Sequence, residues 1–550
     1  MSDTAPRIIL ASLNAKYIHA SLGLRYLLAN MARHGGEDLR RHTRLREFTI
    51  ARKAEDIVAA LLAELGDEDT TAPRIVGFGV YIWNVTQTTA VVRLLKQARP
   101  RVKVVLGGPE VSHEWEGQEI VALADYLITG WGDVSFAKLC CVLCHGHGRD
   151  GSCAATHGTS HVTAPLTKVI AGEQPPLDQI AMPYGEYSAD DLAHRLLYVE
   201  ASRGCPFKCE FCLSSLDKTA WAFDLDAFLA EMDGLYRRGA RNFKFVDRTF
   251  NLKVDASLRI LQFFLDRLGA AADGDLFLHF EVVPDHLPER LKAMIARFPP
   301  GVLQFEVGIQ SFNPEVQLRI SRRQDNTQSE ANLRWLAAHS HAHLHTDLIF
   351  GLPGESLESF AAGFDRLYAL HPDEIQLGIL KRLRGTPIAR HGTEQGMRYA
   401  SLPPYTVERT DAVDAATLQR FTRLARYWDL LANSGRFGRT MALVLQGPSP
   451  FAALLELTDW LWLQGEPSRG KTSGLTPEML LDALFDYLTE AKGLPQDSTR
   501  QTLLADYLAS GARANPACLK GLLGARGAPL AKAAGALVQR QARHGAAETR

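Results

Sequence analysis

The sequence predicts an α/β protein with three parts: a doubly wound N-terminal domain, a partial barrel of β/α units and a helical C-terminal domain. Short apolar runs alternate with stretches of helical spacing in residues 6–143, and the same alternation returns in residues 196–390. In residues 401–550 only the helical spacing remains. Strands that alternate with helices favour parallel sheets covered by helices. The 550 residues suffice for about three domains of roughly 150 residues each.

Five strands are expected in the N-terminal domain, residues 6–143. Four are clear apolar runs and one is weaker: Ile8–Leu13, Ile75–Ile82, Val102–Leu106 and Tyr126–Ile128, with Leu45–Ile50 as the weaker one. Sheets of this class bind ligands in the crevice beyond the carboxyl ends of their strands. The following segment, 144–190, begins with Gly, Ser, Thr, Cys and His without periodicity, which is typical of a linker.

The middle part, residues 191–395, carries six further apolar runs, each followed by helical spacing. They are Leu197–Ala201, Phe243–Val246, Phe277–Val282, Leu303–Gly308, His345–Phe350 and Glu374–Ile379. Six β/α units are too few for a complete eight-unit barrel, so the pattern predicts a partial (β/α)6 barrel. Barrels of this kind place their chemistry at the carboxyl ends of the strands. After them, 401–550 is predicted to be helical, for example at Leu418–Leu431.

Charge and cysteine usage restrict the setting. The formal net charge is -1 and no apolar run reaches the ~18 residues of a membrane-spanning helix, so we expect no nucleic-acid or membrane partner. The first residues show no basic start followed by an apolar core and a small-residue cleavage site, so we expect no secretion signal. Eight cysteines gather mostly in two places in a long chain, which favours thiolate ligands in a reducing compartment and a cytoplasmic protein.

The most informative motif is Glu200-Ala-Ser-Arg-Gly-Cys205-Pro-Phe-Lys-Cys209-Glu-Phe-Cys212, with spacing C-x3-C-x2-C. Thiolates are the ligands that iron–sulfur clusters require. Three of them on one loop can hold three irons of a four-iron cluster, which leaves the fourth iron open for a substrate. A structural zinc site would need a fourth ligand and usually a second C-x2-C pair, and no such pair is nearby. The loop follows a predicted strand, so the cluster would lie at the catalytic end of the barrel.

This spacing, with Phe211 just before the last cysteine, resembles the radical S-adenosylmethionine (SAM) superfamily, and the resemblance covers residues 196–390. It implies a four-iron four-sulfur (4Fe-4S) cluster and SAM as cofactors. It also implies SAM contacts at the ends of the second, fourth and fifth barrel strands. The candidate residues are Asp247, Glu306, Gln310, Gly351 and Glu355.

A doubly wound domain ahead of such a barrel resembles the cobalamin-binding radical SAM proteins and their Rossmann-like N-terminal domain. The helical C-terminal part is similar to one subfamily without an assigned substrate. The resemblance implies cobalamin contacts at glycine turns, where backbone can approach a bulky ligand. The candidates are Gly107, Gly108, Pro109 and Gly130. The Asp-x-His-x-x-Gly pattern that places a histidine below cobalt is absent, so His19 is interpreted as a capping or packing residue.

Together the resemblances imply an enzyme that cleaves SAM reductively and transfers a methyl group to an unactivated carbon, with no catalytic side chain identified. The expected partners are a small-molecule or peptide substrate and an electron donor such as flavodoxin or ferredoxin. Two alternatives stay open. The enzyme could use SAM only as an oxidant beside a degenerate N-terminal domain that binds nothing, or the protein could be an iron–sulfur and cobalamin sensor.

Two further motifs are interpreted as structural. Cys140, Cys141 and Cys144 extend a helical pattern into the Cys/His-rich tract that ends near His161, and at least one of them is expected to face the core. The segment 465–472 matches the phosphate-binding pattern G-x4-G-K-T but lacks the strand before it and the helix at its Gly-Lys. Thr476 and Pro477 predict a later helix start.

Overall fold

The computed structural model describes residues 5–67, 72–145, 167–217, 219–268, 276–512 and 515–523. The chain forms two compact units. The first unit comprises residues 1–248, 382–387 and 400–405, and the second comprises 249–381, 388–399 and 406–550. Each unit is described by itself below.

The first unit begins with a six-stranded parallel sheet in the order β2-β1-β3-β4-β5-β6. Its strands are β1 (Arg7–Asn14), β2 (Thr43–Thr49), β3 (Arg74–Gly79), β4 (Lys103–Gly107), β5 (Tyr126–Thr129) and β6 (Val169–Ala171). The helices among them are α1 (Leu22–Gly35), α2 (Glu37–Arg41), α3 (Ala54–Leu65), α4 (Val85–Ala98), α5 (Glu119–Leu123) and α6 (Ser135–His145). All five predicted strands are confirmed. The order reverses direction between β1 and β3, which is the switch point where such sheets bind ligands.

Alternating side chains of β1 build a core on each face of this sheet. Ile9 and Leu13 pack with residues of α3 and α4, whereas Ile8 and Leu10 pack with residues of α1 and α6. A strand buried on both faces gives a continuous apolar run rather than an alternating one, which is why the run was visible in the sequence. Cys140 is fully buried and Cys141 is nearly so on the inner side of α6, as predicted.

The predicted linker, 144–190, is wrong in part. Residues 169–171 form β6, which pairs in parallel with β5 and extends the sheet. Two backbone hydrogen bonds flank this pairing, from Leu127 to Lys168 and from Gly172 to Thr129. Three residues are too few to show a period in the sequence, and the strand forms because the edge of β5 offers unpaired backbone groups. Residues 146–166, which carry most of the Cys/His-rich tract, lie outside the described part of the chain.

The remainder of the first unit carries the cysteine motif. Its elements are α7 (Ala189–His194), β7 (Leu197–Val199), β8 (Ser202–Gly204), β9 (Ala220–Ala222), α8 (Leu225–Arg237) and β10 (Asn242–Phe245). β7 pairs in parallel with β10, and β8 pairs antiparallel with β9. The first two predicted barrel strands are therefore β7 and β10. The β8–β9 pair, which flanks the cysteines, was not predicted.

The second unit contains the other four predicted barrel strands. Its elements up to the last of these are α9 (Val254–Leu268), β11 (Phe277–Val282), α10 (Glu289–Ile295), β12 (Leu303–Gln310), α11 (Pro314–Arg319), α12 (Asn326–His339), β13 (His343–Phe350), α13 (Leu357–Tyr368) and β14 (Glu374–Ile379). The four strands are parallel and neighbour one another in chain order. On one face Phe305, Leu348 and Phe350 are buried, and aromatic contacts join Phe350 to Phe360 of α13.

The C-terminal part is mainly helical, as predicted. It contains α14 (His391–Glu394), β15 (Arg398–Tyr399), β16 (Val407–Arg409), α15 (Ala415–Leu431), α16 (Gly438–Val444), α17 (Pro450–Leu463), α18 (Pro477–Asp486) and α19 (Gln496–Ala509). The prediction that residues 401–550 are all helical is wrong at the short strand β16, which forms because it pairs with β15. Thr476 caps α18 and Pro477 is its first residue. The helix therefore begins after the phosphate-binding pattern at 465–472 and not at the Gly-Lys of that pattern. Within the described residues, no helix is long and apolar enough to cross a membrane.

Candidate cofactor sites

The three cysteines of the motif lie on one loop that β8 and β9 close. Ser202 pairs with Ala222 and Gly204 with Ala220, so the chain leaves this hairpin immediately before Cys205. Gly204 has φ +86°, and a Cβ there would overlap the carbonyl oxygen of Thr219. The loop therefore starts from a position that only glycine fits.

The donor set of this loop fits an iron–sulfur cluster. Cys205 and Cys209 are both 9% exposed, Cys212 is half-buried, and none of the three is in a disulfide. Burial raises the pKa of the Cys205 thiol, and the neighbouring Cys212 and Cys209 raise it further. Closely spaced thiols of this kind lose their protons when a positively charged metal centre binds. In the described part of the chain no three acidic, His or Cys side chains converge on one ion, but a cluster takes each thiolate on a different iron.

Asp247, a predicted SAM contact, follows β10 and braces the chain ahead of the cysteines. Its carboxylate accepts hydrogen bonds from the Ala201 amide at 2.9 Å and from the Ser202 hydroxyl at 2.6 Å. The side chain is 4% exposed, and burial raises its pKa to about 7. These bonds fix the end of β7 and the start of β8. Contact of Asp247 with SAM stays a prediction.

Arg203 is the residue of this motif whose role the sequence did not indicate. Its guanidinium donates to both oxygens of Asp133, from Nη1 at 2.9 Å and from Nη2 at 3.0 Å, and its Nε donates to Glu200 Oε1 at 2.7 Å. All three side chains are largely buried. Asp133 lies 70 residues earlier, next to Gly130 and Gly132 in the turn after β5. An acidic residue beside this glycine turn was the signal available in the sequence.

The first unit contains a cavity of about 460 Å³ at the carboxyl ends of β3, β4 and β5. Its wall includes all four predicted cobalamin contacts and two residues of the cysteine motif: Gly107, Gly108, Pro109, Gly130, Glu200 and Arg203. A Cβ on Gly130 would meet nothing within 4 Å, and one on Gly107 would only touch the Ile128 carbonyl oxygen at 3.7 Å. These two glycines leave open space that a large flat ligand can fill, so the cavity fits the predicted corrin.

Gly108 borders the same cavity for a different reason. It has φ +112°, and a Cβ would lie 2.5 Å from the Val80 carbonyl oxygen and 2.9 Å from the Val80 nitrogen. Contact of Gly108 with cobalamin stays a prediction, and the structure gives a separate reason for a glycine at this position. The glycine is required because the turn after β4 passes directly over the backbone that follows β3.

His19 does not line the cavity. Its ring bonds with the Tyr198 hydroxyl through Nδ1 at 2.8 Å, and its backbone forms a parallel bridge with Leu196. Burial lowers its pKa, which favours the neutral ring. The geometry agrees with the packing residue that the sequence predicts.

The other predicted SAM contacts lie in the second unit, at the ends of β12 and β13. Gln310 has φ +68°, and its buried side-chain oxygen Oε1 has no hydrogen-bond partner among the residues that the structure describes. An orphaned acceptor on a strained residue indicates a place where a ligand with donors can bind. Gly351 follows β13 and packs against Val407. Glu306 of β12 bonds with His279 of β11 at 3.0 Å.

Glu355 is held by protein groups. It is 2% exposed, and its Oε1 accepts from the Ser311 hydroxyl at 2.6 Å and from the Ser359 hydroxyl at 3.3 Å. The second oxygen, Oε2, is buried and has no hydrogen-bond partner within the described part of the chain, and burial raises the pKa of the carboxyl to about 7. The carboxyl therefore connects the end of β12 with the start of α13. Its contact with SAM stays a prediction.

A band of polar side chains crosses the face of this sheet opposite Phe305 and Phe350. Register places Glu306 beside His345 and His345 beside Glu374. His345 Nε2 lies 3.4 Å from Asp347 and its Nδ1 lies 3.6 Å from Glu374. Burial alone would lower the pKa of His345, but its hydrogen bond to Asp347 and the surrounding carboxylates raise it overall. In the sequence, the alternation His343-Leu-His345-Thr-Asp347 indicates that these three polar side chains lie on one face of the strand.

Two models of known protein families match this chain. The model of the radical SAM superfamily matches residues 199–367, and that of the B12-binding domain matches residues 8–140. An uncharacterised methyltransferase of Pyrococcus horikoshii is 30% identical over 35% of this chain and 44% of its own length. The cobalamin-dependent radical SAM methyltransferase TokK of Streptomyces tokunonensis is 25% identical over 56% of this chain and 47% of its own. The matches thus span a little under half of these relatives.

Two solved structures resemble the chain in fold. The radical SAM methyltransferase TsrM of Kitasatospora setae, with tryptophan and a SAM analogue bound, superposes with a TM-score of 0.55 at 17% identity, over 72% of this chain and 79% of its own. The cobalamin-dependent SAM radical enzyme OxsB, with aqua-cobalamin and SAM bound, gives a TM-score of 0.57 at 14% identity, over 92% of this chain and 84% of its own. At these identities the likeness establishes the fold.

Proposed function

We propose that this chain, which belongs to the radical SAM superfamily and carries an N-terminal B12-binding domain, is a cobalamin-dependent enzyme that transfers a methyl group from SAM to an unactivated carbon. One observation carries the proposal. Glu200 and Arg203, which belong to the cysteine motif, also form part of the wall of the glycine-lined cavity. A cluster on the loop and a corrin in the cavity would therefore share a boundary within one unit.

The residues have distinct tasks in this proposal. Cys205, Cys209 and Cys212 would hold a 4Fe-4S cluster through their three thiolates, and three protein ligands would leave one iron available to SAM. When bound, the cluster and cobalamin supply the electron-transfer and methyl-carrier chemistry, while the protein supplies orientation. Asp247 keeps the chain ahead of the cysteines in place through Ala201 and Ser202.

The cavity supports the binding of cobalamin without a protein histidine. Among the described residues that line it, the side chains are mostly apolar or absent, and the side chains with polar groups are Tyr26, Tyr81, Trp131, Asp133, Glu200 and Arg203. An apolar cavity with a few fixed polar groups is the usual form of a cofactor site. Apolar walls of this kind would limit the access of water to a bound ligand, which would protect reactive species from side reactions.

In the second unit, Gln310 is the strongest candidate for a SAM contact. Its orphaned Oε1 can accept a hydrogen bond from a ligand hydroxyl or amino group. The substrate is a small molecule or a peptide, and an electron donor such as flavodoxin or ferredoxin reduces the cluster. The names of TokK and TsrM support methyl transfer as the reaction class.

The test is an anaerobic assay that separates the two products of SAM. Protein reconstituted with iron, sulfide and cobalamin is incubated with SAM and a reductant, and S-adenosylhomocysteine and 5′-deoxyadenosine are quantified. Methyl transfer predicts S-adenosylhomocysteine that depends on added cobalamin. A triple Cys205→Ala, Cys209→Ala, Cys212→Ala variant is the control for cluster-dependent cleavage. Wild-type protein that binds no cobalamin and releases only 5′-deoxyadenosine would favour the enzyme that uses SAM solely as an oxidant.

A further inference from the structure

Arg203 joins two parts of the first unit that each carry a cofactor candidate. It lies on β8, two residues before Cys205, and its ion-pair partner Asp133 lies after β5 in the B12-binding domain. Nη1 and Nη2 of the guanidinium each donate to one of the two carboxylate oxygens, at 2.9 and 3.0 Å. Such two-point pairs fix orientation as well as distance.

Aromatic rings enclose the same guanidinium. Its carbon lies 4.3 Å from the centre of the Tyr26 ring, 4.9 Å from that of Trp131 and 5.7 Å from that of Phe223. Tyr26 belongs to α1 and Trp131 follows β5, whereas Phe223 follows β9 at the far end of the cysteine hairpin. Cation–π contacts gain strength when the cation is withdrawn from water. Elements from both parts therefore hold one buried charge.

The enclosure is also part of the cavity wall. Tyr26, Trp131, Asp133, Glu200 and Arg203 all line the cavity. A change in the position of the cysteine loop must move Arg203, and a moved Arg203 must break its bonds to Asp133. The wall and the loop are thus joined by one side chain, whose bonds to Asp133 depend on the position of the loop.

We propose that Arg203 is a positioning residue that fixes the cysteine loop to the wall of the cobalamin cavity and thereby couples binding of the cluster to binding of cobalamin. A bound cluster orders the loop, and the ordered loop holds Arg203 on Asp133. The wall of the cavity is then already ordered, so cobalamin binds with a smaller loss of conformational entropy. Because coupling between sites is reciprocal, cobalamin also favours retention of the cluster. This inference rests on the proposed function for the identity of the two ligands.

The experiment measures cobalamin affinity in two forms of the full chain, cluster-free and cluster-loaded, by the change in corrin absorbance on binding. We expect the cluster-loaded wild type to bind cobalamin roughly tenfold more tightly than the cluster-free form. In Arg203→Gln and in Asp133→Asn, which break the pair from opposite sides, the ratio should approach one. Arg203→Lys keeps the charge but loses the two-point geometry, so its ratio should also fall below that of the wild type.

Arg25 provides the matched control. It is another buried arginine of the first unit, with Nη2 at 2.8 Å from both Glu47 and Asp191 and its guanidinium over the Tyr187 ring, and none of these residues is in the cysteine loop. Arg25→Lys should lower the unfolding temperature about as much as Arg203→Lys, yet keep the wild-type affinity ratio. This comparison separates coupling from general loss of stability.

The outcomes are distinct. A wild-type ratio near one, or a wild-type ratio preserved in both Arg203→Lys and Asp133→Asn, would overturn the coupling while the proposed function stood. A ratio lost equally in Arg25→Lys would overturn the coupling as well, because the loss would then follow from substitution of any buried arginine and would not be specific to Arg203. Wild-type protein that binds no cobalamin in either form would overturn the coupling and the proposed function together.

Discussion

Gly108 passes so close to Val80 that a Cβ on the glycine would lie 2.5 Å from the Val80 carbonyl oxygen. The contact joins the turn after β4 to the chain after β3, and the Val80 amide donates to the carbonyl of the adjacent Gly107 at 2.8 Å. Neighbouring glycines thus have different tasks. Gly108 preserves the turn, whereas Gly107 borders open cavity, and substitution can separate these tasks.

The first prediction contrasts the two glycines. Gly107→Phe should abolish cobalamin binding, because its side chain starts from an unstrained backbone with room for a Cβ and fills the cavity. Gly108→Ala should lower the free energy of unfolding by about 2 kcal/mol or more, through a positive φ and overlap with Val80. Gly117→Ala, with φ +78° and nothing within 4 Å of a Cβ, is the control for positive φ alone. Urea unfolding and absorbance titration with cobalamin measure both effects. Full cobalamin binding by Gly107→Phe would contradict the placement of the corrin.

The second prediction concerns the cluster. Reconstituted wild type should hold about four irons per chain, and single changes of Cys205, Cys209 or Cys212 to Ala should each remove the cluster, since three thiolates are the minimum. Cys144→Ala and Cys518→Ala should retain it, because Cys144 lies in the last turn of α6 and Cys518 lies among C-terminal elements. Iron analysis and visible absorption give the result. Iron retained without one of the three motif cysteines would refute the ligand set.

The third prediction concerns pH. Burial raises the pKa of Glu355 from 4.5 to about 7. Between these values the folded chain keeps a proton that the unfolded chain releases, so stability falls as pH rises from about 4.5 to about 7 and then levels off. The full effect is about 3 kcal/mol. Glu355→Gln mimics the protonated form and should remove this part of the pH dependence. Urea unfolding of both proteins at pH 5 and pH 8 measures it, and a difference between the two proteins that does not change with pH would refute the shift.

Gln310 yields the fourth prediction. Gln310→Ala and Gln310→Gly both remove the orphaned acceptor and should weaken SAM binding by about tenfold, the worth of roughly one hydrogen bond. Only the glycine variant relieves the φ of +68°, so it should be about 1 kcal/mol more stable than the alanine variant. Equilibrium dialysis with SAM and thermal unfolding separate the two effects. Wild-type SAM affinity in both variants would remove Gln310 from the site.

The elements that the sequence predicted share a physical property, namely burial on one or both faces. β1 is buried on both faces and leaves a continuous apolar run in the sequence, whereas β13 is buried mainly on one face and leaves an alternating pattern. β6 leaves none, because its three residues are partly exposed and depend on pairing with β5. The cysteine loop was predictable for another reason, since its ligand spacing is local.

Contacts between distant charges were not predictable in this way. Arg203 and Asp133 are separated by 70 positions, and neither periodicity nor spacing indicates that they pair. The sequence also could not distinguish Gly107 from Gly108, because the difference lies in φ and in the proximity of Val80. Such features depend on how elements pack, which a single sequence does not encode locally.

The fifth prediction concerns the lower face of cobalamin. His19 bonds with Tyr198 at 2.8 Å and lies outside the cavity wall, so we expect no bond from histidine nitrogen to cobalt. His19→Ala should leave cobalamin affinity within about twofold and cost about 1 kcal/mol of stability for the lost hydrogen bond. Tyr198→Phe breaks the same bond from the other side, so it should have a similar cost. The double variant should cost less than the sum of the two single changes.

Electron spin resonance of the Co(II) form gives the direct check. Wild-type cobalt lines without nitrogen splitting agree with this placement, whereas a splitting that disappears in His19→Ala would show that His19 reaches the metal.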